Sequence, residues 1–177
     1  MPRRRERRQH RRDARSSGRE VYQLRERVVD IGDDYWIETQ EGRRAFKVNG
    51  KVLRARKTFL LEGPDGAELT KMKHRPARVR ETWTIHRTDR PDATLHHAMV
   101  SPLRDRWILK ADDIGEWKVK GNFVEHEYQI DDEDGNPVAE VSKRWFRVRD
   151  TYGVEVSPDA DAALALTVTV AIDQDAH

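Results

Sequence analysis

The residues best placed for chemistry in this sequence are its paired acids, its histidines, and its clustered lysines and arginines. Asp33-Asp34, Asp112-Asp113 and Asp131-Asp132-Glu133-Asp134 bring carboxylates together. The last run ends at Gly135, in the manner of a calcium loop. It lacks the alternating ligand positions and the distal bidentate glutamate that such a loop needs. A solvated hairpin turn is expected there instead. His96, His97 and His126 are the best-placed imidazole set, with His74 and His86 standing singly beside arginines. Neighbours in a strand point to opposite faces, so His96 and His97 cannot both reach one ion without a bulge. No H-E-x-x-H motif accompanies them, and ordinary hydrogen-bonded histidines are expected rather than a metal site.

Nucleophiles are equally bare of context. Ser101 precedes Pro102, and Ser142 lies in Val141-Ser142-Lys143. Neither sits in G-x-S-x-G, and no S-x-x-K pair occurs. Phosphate-cradling G-x-G-x-x-G and Walker A loops are missing, so neither an enzyme nor a cofactor is expected. The cations remain. Lys71, Lys73, His74 and Arg75 form one cluster, Lys118 and Lys120 a second, and Lys143 with Arg144 a third. Two such clusters meeting on one surface would hold a phosphorylated headgroup. Taken singly, each reads as the solvated face of a strand. The candidate anion-binding set is therefore Lys71, Lys73, Arg75, Lys118, Lys120, Lys143 and Arg144.

Something must position these groups, and the 177 residues are enough for one domain with a real core. Lys and Arg total 34 against 32 Asp and Glu, but the balance is uneven along the chain. Residues 1–20 hold nine arginines and three acids, a net +6, while residues 21–177 net −4. The first twenty residues have almost no apolar content, and a disordered tail is expected. Such a tail serves either as a solubilising extension or as a contact for an anionic membrane or nucleic acid. No aromatics interleave with its arginines, which argues against stacking on single-stranded bases. No apolar run reaches the roughly 18–20 residues of a spanning helix, and no h-region follows the arginines. Pro2 stands where myristoylation needs glycine. With no cysteine in the chain, disulfides, thiolate metal sites and lipidated thiols are excluded. A cytoplasmic protein, with peripheral membrane contact, is the expectation.

From Val21 onward the pattern is short alternating runs broken by turn residues. Tyr35–Glu38, Ala45–Val48, Thr58–Leu61, Leu69–Met72, Thr82–Ile85, Trp107–Leu109, Trp117–Val119, Phe123–Ile130 and Val138–Val141 all read as strands. Asn49-Gly50, Asp65-Gly66 and Asp134-Gly135 supply hairpin signals, since type I′ turns need φ > 0 at both central residues. About a dozen strands at this spacing imply an antiparallel sandwich or closed barrel. Most of the five tryptophans should face its core. Asp150-Thr151-Tyr152-Gly153 reads as the turn redirecting the chain towards its last segment.

That segment, Ala162–Ile172, is the most apolar of the chain. Leu164, Leu166, Val168, Val170 and Ile172 share one parity, as in a strand. Ser157-Pro158-Asp159 looks like a helix start, with serine at N-cap and proline at N1. Periodicity leaves helix and strand open.

Several pieces together resemble the LURP-one-related family, whose fold is shared with tubby C-terminal domains and phospholipid scramblases. They are Val29–Ile37, Phe46–Val52, Gly121–Tyr128, Val141–Phe146 and Asp150–Val154, followed by an acidic and then apolar C-terminus. The resemblance implies a mainly β fold: a closed antiparallel barrel of about twelve strands enclosing a hydrophobic C-terminal helix over about 159–173. It leaves residues 1–20 as tail and assigns 21–177 to the barrel. Tubby-like domains bind phosphoinositides, so it also implies peripheral binding of anionic phospholipid by a non-enzymatic module. A protein-interaction scaffold whose tail contacts nucleic acid is the alternative. A carrier of apolar ligands is disfavoured, because the helix should fill the barrel.

Overall fold

The computed structural model describes residues 18–25, 34–53, 56–75, 82–99, 105–146 and 149–176. Residues 1–17, on which the expectation of a disordered tail falls, lie outside these. Twelve strands follow one another in sequence. They are β1 (Glu20–Arg25), β2 (Tyr35–Thr39), β3 (Arg44–Leu53), β4 (Arg56–Glu62), β5 (Glu68–Arg75) and β6 (Thr82–Arg87), then β7 (Arg90–Met99), β8 (Asp105–Ala111), β9 (Gly115–Asn122), β10 (Glu127–Asp131), β11 (Pro137–Ser142) and β12 (Thr151–Val156). Each pairs antiparallel with its neighbour in sequence, and β12 closes on β1, so the barrel has no free edge. The closing register sets Tyr22 opposite Val154 and Leu24 opposite Tyr152, all four buried.

Alternation decides which side chains fill the barrel. On β5, Thr70 and Met72 are buried while Lys71 and Lys73 face outward; on β6, Trp83 and Ile85 are buried. Trp107 and Trp117 also face in, whereas Trp36 and Trp145 are half-buried. What they pack against is the helix α1 (Ala162–Ala176). Every residue from Leu164 to Asp173 is buried, on all sides of the helix. Val168, Val170, Thr167 and Thr169 are poor helix formers, so this helix is held by its surroundings rather than by propensity. Thr167 Oγ1 donates to Ala163 O at 2.7 Å and lies 2.6 Å from Thr70 Oγ1. With its own proton so committed, Thr167 accepts from Thr70, and β5 is tied to the helix.

Four local expectations are corrected. Asn49-Gly50 is no hairpin: β3 runs through it, and Gly50 pairs in register with Phe59 of β4. Phe123–His126 is a turn before β10, with His126 at φ +50°. Asp150–Gly153 is not the redirecting turn; only Asp150, at φ +58°, belongs to one, and Thr151 opens β12. Gly153 is there because Trp145 and Phe146 lie on the outer face of β12: a Cβ would come within 2.6 Å and 2.7 Å of their rings. Lastly, the helix begins at Ala162, not at Pro158. Ser157 Oγ donates to Pro137 O, and Asp161 is the true cap, accepting from Leu164 N at 3.0 Å.

Leu166→Ala should lower the unfolding free energy by about 2–5 kcal/mol by opening a cavity beside the strands. Gly153→Ala should lower it by about 1–3 kcal/mol by displacing the two rings. Denaturant titration measures both, and a wild-type midpoint for either would contradict the packing described.

Candidate functional site

With the interior filled, chemistry is left to the outer wall and the rims. On β5 the outward positions carry Lys71, half-buried, and Lys73 and Arg75, both exposed. Successive outward positions on a strand are roughly 6.5–7 Å apart. The register sets Lys71 opposite His86 and Lys73 opposite Thr84 on β6. These residues, with Glu68 and Asp92, line a groove of about 430 Å³. His86 Nδ1 is engaged by Asp92 Oδ1 at 2.7 Å. Lys71, Lys73 and Arg75 have no carboxylate partner among the described residues. The groove is thus graded: carboxylates at the β5 start, uncompensated cations towards Arg75.

The other candidate cations lie elsewhere on the wall. Lys118 and Lys120 face outward on β9, separated from β5 by three intervening strands. Lys118 approaches Glu116 at 3.8 Å. Lys143 and Arg144 form the 3-10 turn after β11, where Arg144 Nε meets Glu127 Oε1 at 3.5 Å. The three clusters therefore do not converge on one pocket; Lys71, Lys73 and Arg75 alone of the seven line the groove.

Buried polar pairs hold both ends of α1. At its start, Arg87 binds Asp113 through two hydrogen bonds, 2.7 Å and 3.0 Å, and reaches the capping Asp161 at 3.3 Å. At its end, Asp173 pairs with the buried His126 at 2.5 Å, and Asp175 accepts from Trp83 Nε1 at 2.6 Å. The His126 ring stacks on Tyr152, 4.3 Å between centroids. Burial, and then the Asp173 carboxylate, push the phenols of Tyr35 and Tyr128 well above the ordinary tyrosine range. The imidazoles form no common site: His96 and His97 point to opposite faces of β7, and His97 packs against Trp107. Among the described residues, no group of three metal-ligating side chains comes together. The acidic run is a turn, in which Asp132 Oδ1 accepts from the amides of Asp134 and Asn136.

Sequence reasoning missed Thr84, His86 and Asp92 in the groove, because strand register is needed to bring them to β5. It also missed the His126–Asp173 clasp, whose members are 47 residues apart. The paired outward lysines of β5 were the one signal available.

The model of one protein family, LURP-one-related, matches residues 20–173, nearly the whole described chain. This protein belongs to the LURP-one-related family. Among solved structures, an X-ray structure of a protein from Arabidopsis thaliana matches with a TM-score of 0.62 at 18% identity. The match covers 90% of this chain and 92% of that one. At that identity the likeness speaks for the fold alone. A search of curated proteins found no match.

The Arg87 hydrogen bonds hold the Asp113 carboxyl below the ordinary aspartate range. A depressed carboxyl stabilises the fold above its unfolded value, about 3.9, and that contribution is lost as pH falls through the folded value. Asp113→Asn should therefore lower the melting temperature near neutral pH and make its decline between about pH 5 and pH 2 shallower. An unchanged acid limb would separate Asp113 from acid stability.

Proposed function

We propose that this LURP-one-related barrel is a non-catalytic binding module whose β5–β7 groove holds a phosphorylated headgroup of the phosphoinositide kind. The observation that carries the reading is the row Lys71, Lys73 and Arg75, three cations on one wall without a carboxylate partner among the described residues. Like charges at this spacing repel one another, and a multiply charged anion offsets that repulsion. Charge-assisted hydrogen bonds contribute about 1.5–3 kcal/mol each. Arg75 at the open end offers a planar fork for a phosphate, and the Thr84 hydroxyl adds a neutral donor.

The opposite end of the groove suits different atoms. Glu68 and Asp92 accept hydrogen bonds, which the free hydroxyls of an inositol ring donate. A headgroup carrying both phosphates and hydroxyls therefore has one preferred orientation in the groove, phosphates towards Arg75. The resemblance to tubby-like domains points to the same ligand class. Among the described residues no helix is long and apolar enough to cross a membrane.

Titration of the full chain with soluble inositol trisphosphate tests this. Lys71→Glu with Lys73→Glu should weaken binding by roughly tenfold or more, since two charge-assisted contacts become repulsive. Affinity equal to wild type would remove the groove as the site.

A further inference from the structure

The two ends of the barrel differ in charge. Six tight connections lie at one end: residues 40–43, 63–67, 88–89, 112–114, 132–136 and 157–161. Together they carry ten acids and one arginine. The opposite end collects cations near the strand termini: Arg25 closes β1, Lys73 and Arg75 close β5, Arg106 follows Asp105 at the start of β8, and Lys120 nears the end of β9. None of these five has a carboxylate partner among the described residues. Most carboxylates at this end whose side chains are described are already engaged. Asp34 pairs with Lys47, Glu127 with Arg144 and Asp150 with Arg149, while Asp173 and Asp175 turn inward to His126 and Trp83. Among the described side chains Glu125 is the exposed exception.

Arg106 and Lys120 sit directly opposite each other across the β8–β9 pair, on the outer face. Like charges so placed are destabilising, and nothing among the described residues uses them. Three strand spacings, about 14 Å along the sheet, separate β8 from β5. A single headgroup held by Lys73 and Arg75 leaves Arg106 and Lys120 to another. Two cation pairs on one end, spaced apart, match a surface that presents many phosphates in a plane. The exposed Val124, 59% accessible in the β9–β10 connection, lies at the same end.

We propose that the barrel docks end-on to an anionic lipid surface, with Arg106 and Lys120 as a second phosphate contact and the β9–β10 connection at the interface. The proposal rests on the groove reading for its first contact and adds the partner, the orientation and a second site. The acidic tight-connection end faces away from the lipid. The root of the arginine-rich tail lies at that far end too, since Arg19 pairs with Glu155 at 3.0 Å and Gly18 lies against Pro158.

The full chain has no cysteine, so single-site labels are clean. An environment-sensitive fluorophore on Val124→Cys should shift to the blue with phosphatidylcholine vesicles containing phosphatidylserine, and not with phosphatidylcholine alone. The same label on Asp134→Cys, in a tight connection, should not shift. Arg106→Glu with Lys120→Glu should weaken vesicle binding by roughly tenfold or more while leaving soluble inositol trisphosphate affinity unchanged. Lys110→Glu, a charge reversal at the other end of β8, should leave vesicle binding intact. Melting curves establish that each variant is folded. The proposal is overturned if both labels shift alike, if Lys110→Glu weakens vesicle binding as much as the double reversal, or if the double reversal binds vesicles like wild type. It is also overturned if duplex DNA produces the Val124 shift and vesicles do not. Should Lys71→Glu with Lys73→Glu keep soluble-ligand affinity while the Val124 label still shifts, the groove reading fails and the end-on orientation stands.

Discussion

A helix with no polar face has to be surrounded, and α1 is apolar on every side from Leu164 to Ile172. One sheet face would cover only half of it. Closure of twelve strands into a barrel covers all of it, and removes every sheet edge in the same step. The constraint then moves to the helix ends, where backbone groups and acids meet the barrel rims. Asp161 caps the start and is itself held by Arg87. Asp173 and Asp175 lie at the C-terminal end, where the helix dipole disfavours negative charge. His126 and Trp83 supply the compensating donors. Core and polar clasps are therefore one arrangement: the helix dictates the barrel, and the barrel rims position the residues that seal it.

Much of this architecture is visible in the sequence, for identifiable reasons. Asp134-Gly135 and Asp65-Gly66 mark hairpins because Gly135 and Gly66 adopt φ near +85°. Asn49-Gly50 has the same signature and misleads, since β3 continues through it in register with β4. The C-terminal segment is ambiguous in principle: alternating Val and Thr favour a strand locally, and burial on all sides overrides that preference. Resemblance to a family, not periodicity, settles it as a helix. Of the groove, one strand was legible. Lys71, Lys73 and Arg75 repeat at the strand period, but their counterparts Thr84, His86 and Asp92 depend on how β5 slides against β6 and β7. No short-range pattern encodes that register.

A filled barrel also limits where function can reside. Side chains facing inward are committed to α1, so substitutions there are read as stability. Apart from β12, which is buried on both faces, exposed outward positions alternate with them and can vary in charge without disturbing the core. The cations of β5 and those of β8 and β9 use this freedom on a wall whose shape is fixed by closure, which makes them rigidly placed relative to one another. Two like charges opposite each other, Arg106 and Lys120, are tolerated because the hydrogen-bonded ladder beneath them does not depend on either side chain.

The element on which the barrel is built comes after all twelve strands in the chain. Emerging from a ribosome, the strands have no apolar column to wrap, and β1 cannot find β12 until more than a hundred residues separate them. Up to that point hairpins can form locally, but their inner faces stay open to water and to other chains. Completion of the fold is therefore a late event, triggered by release of the helix rather than by the gradual growth of a core. A chain stopped upstream of Ala162 would lack the apolar column against which the inner faces of the strands pack.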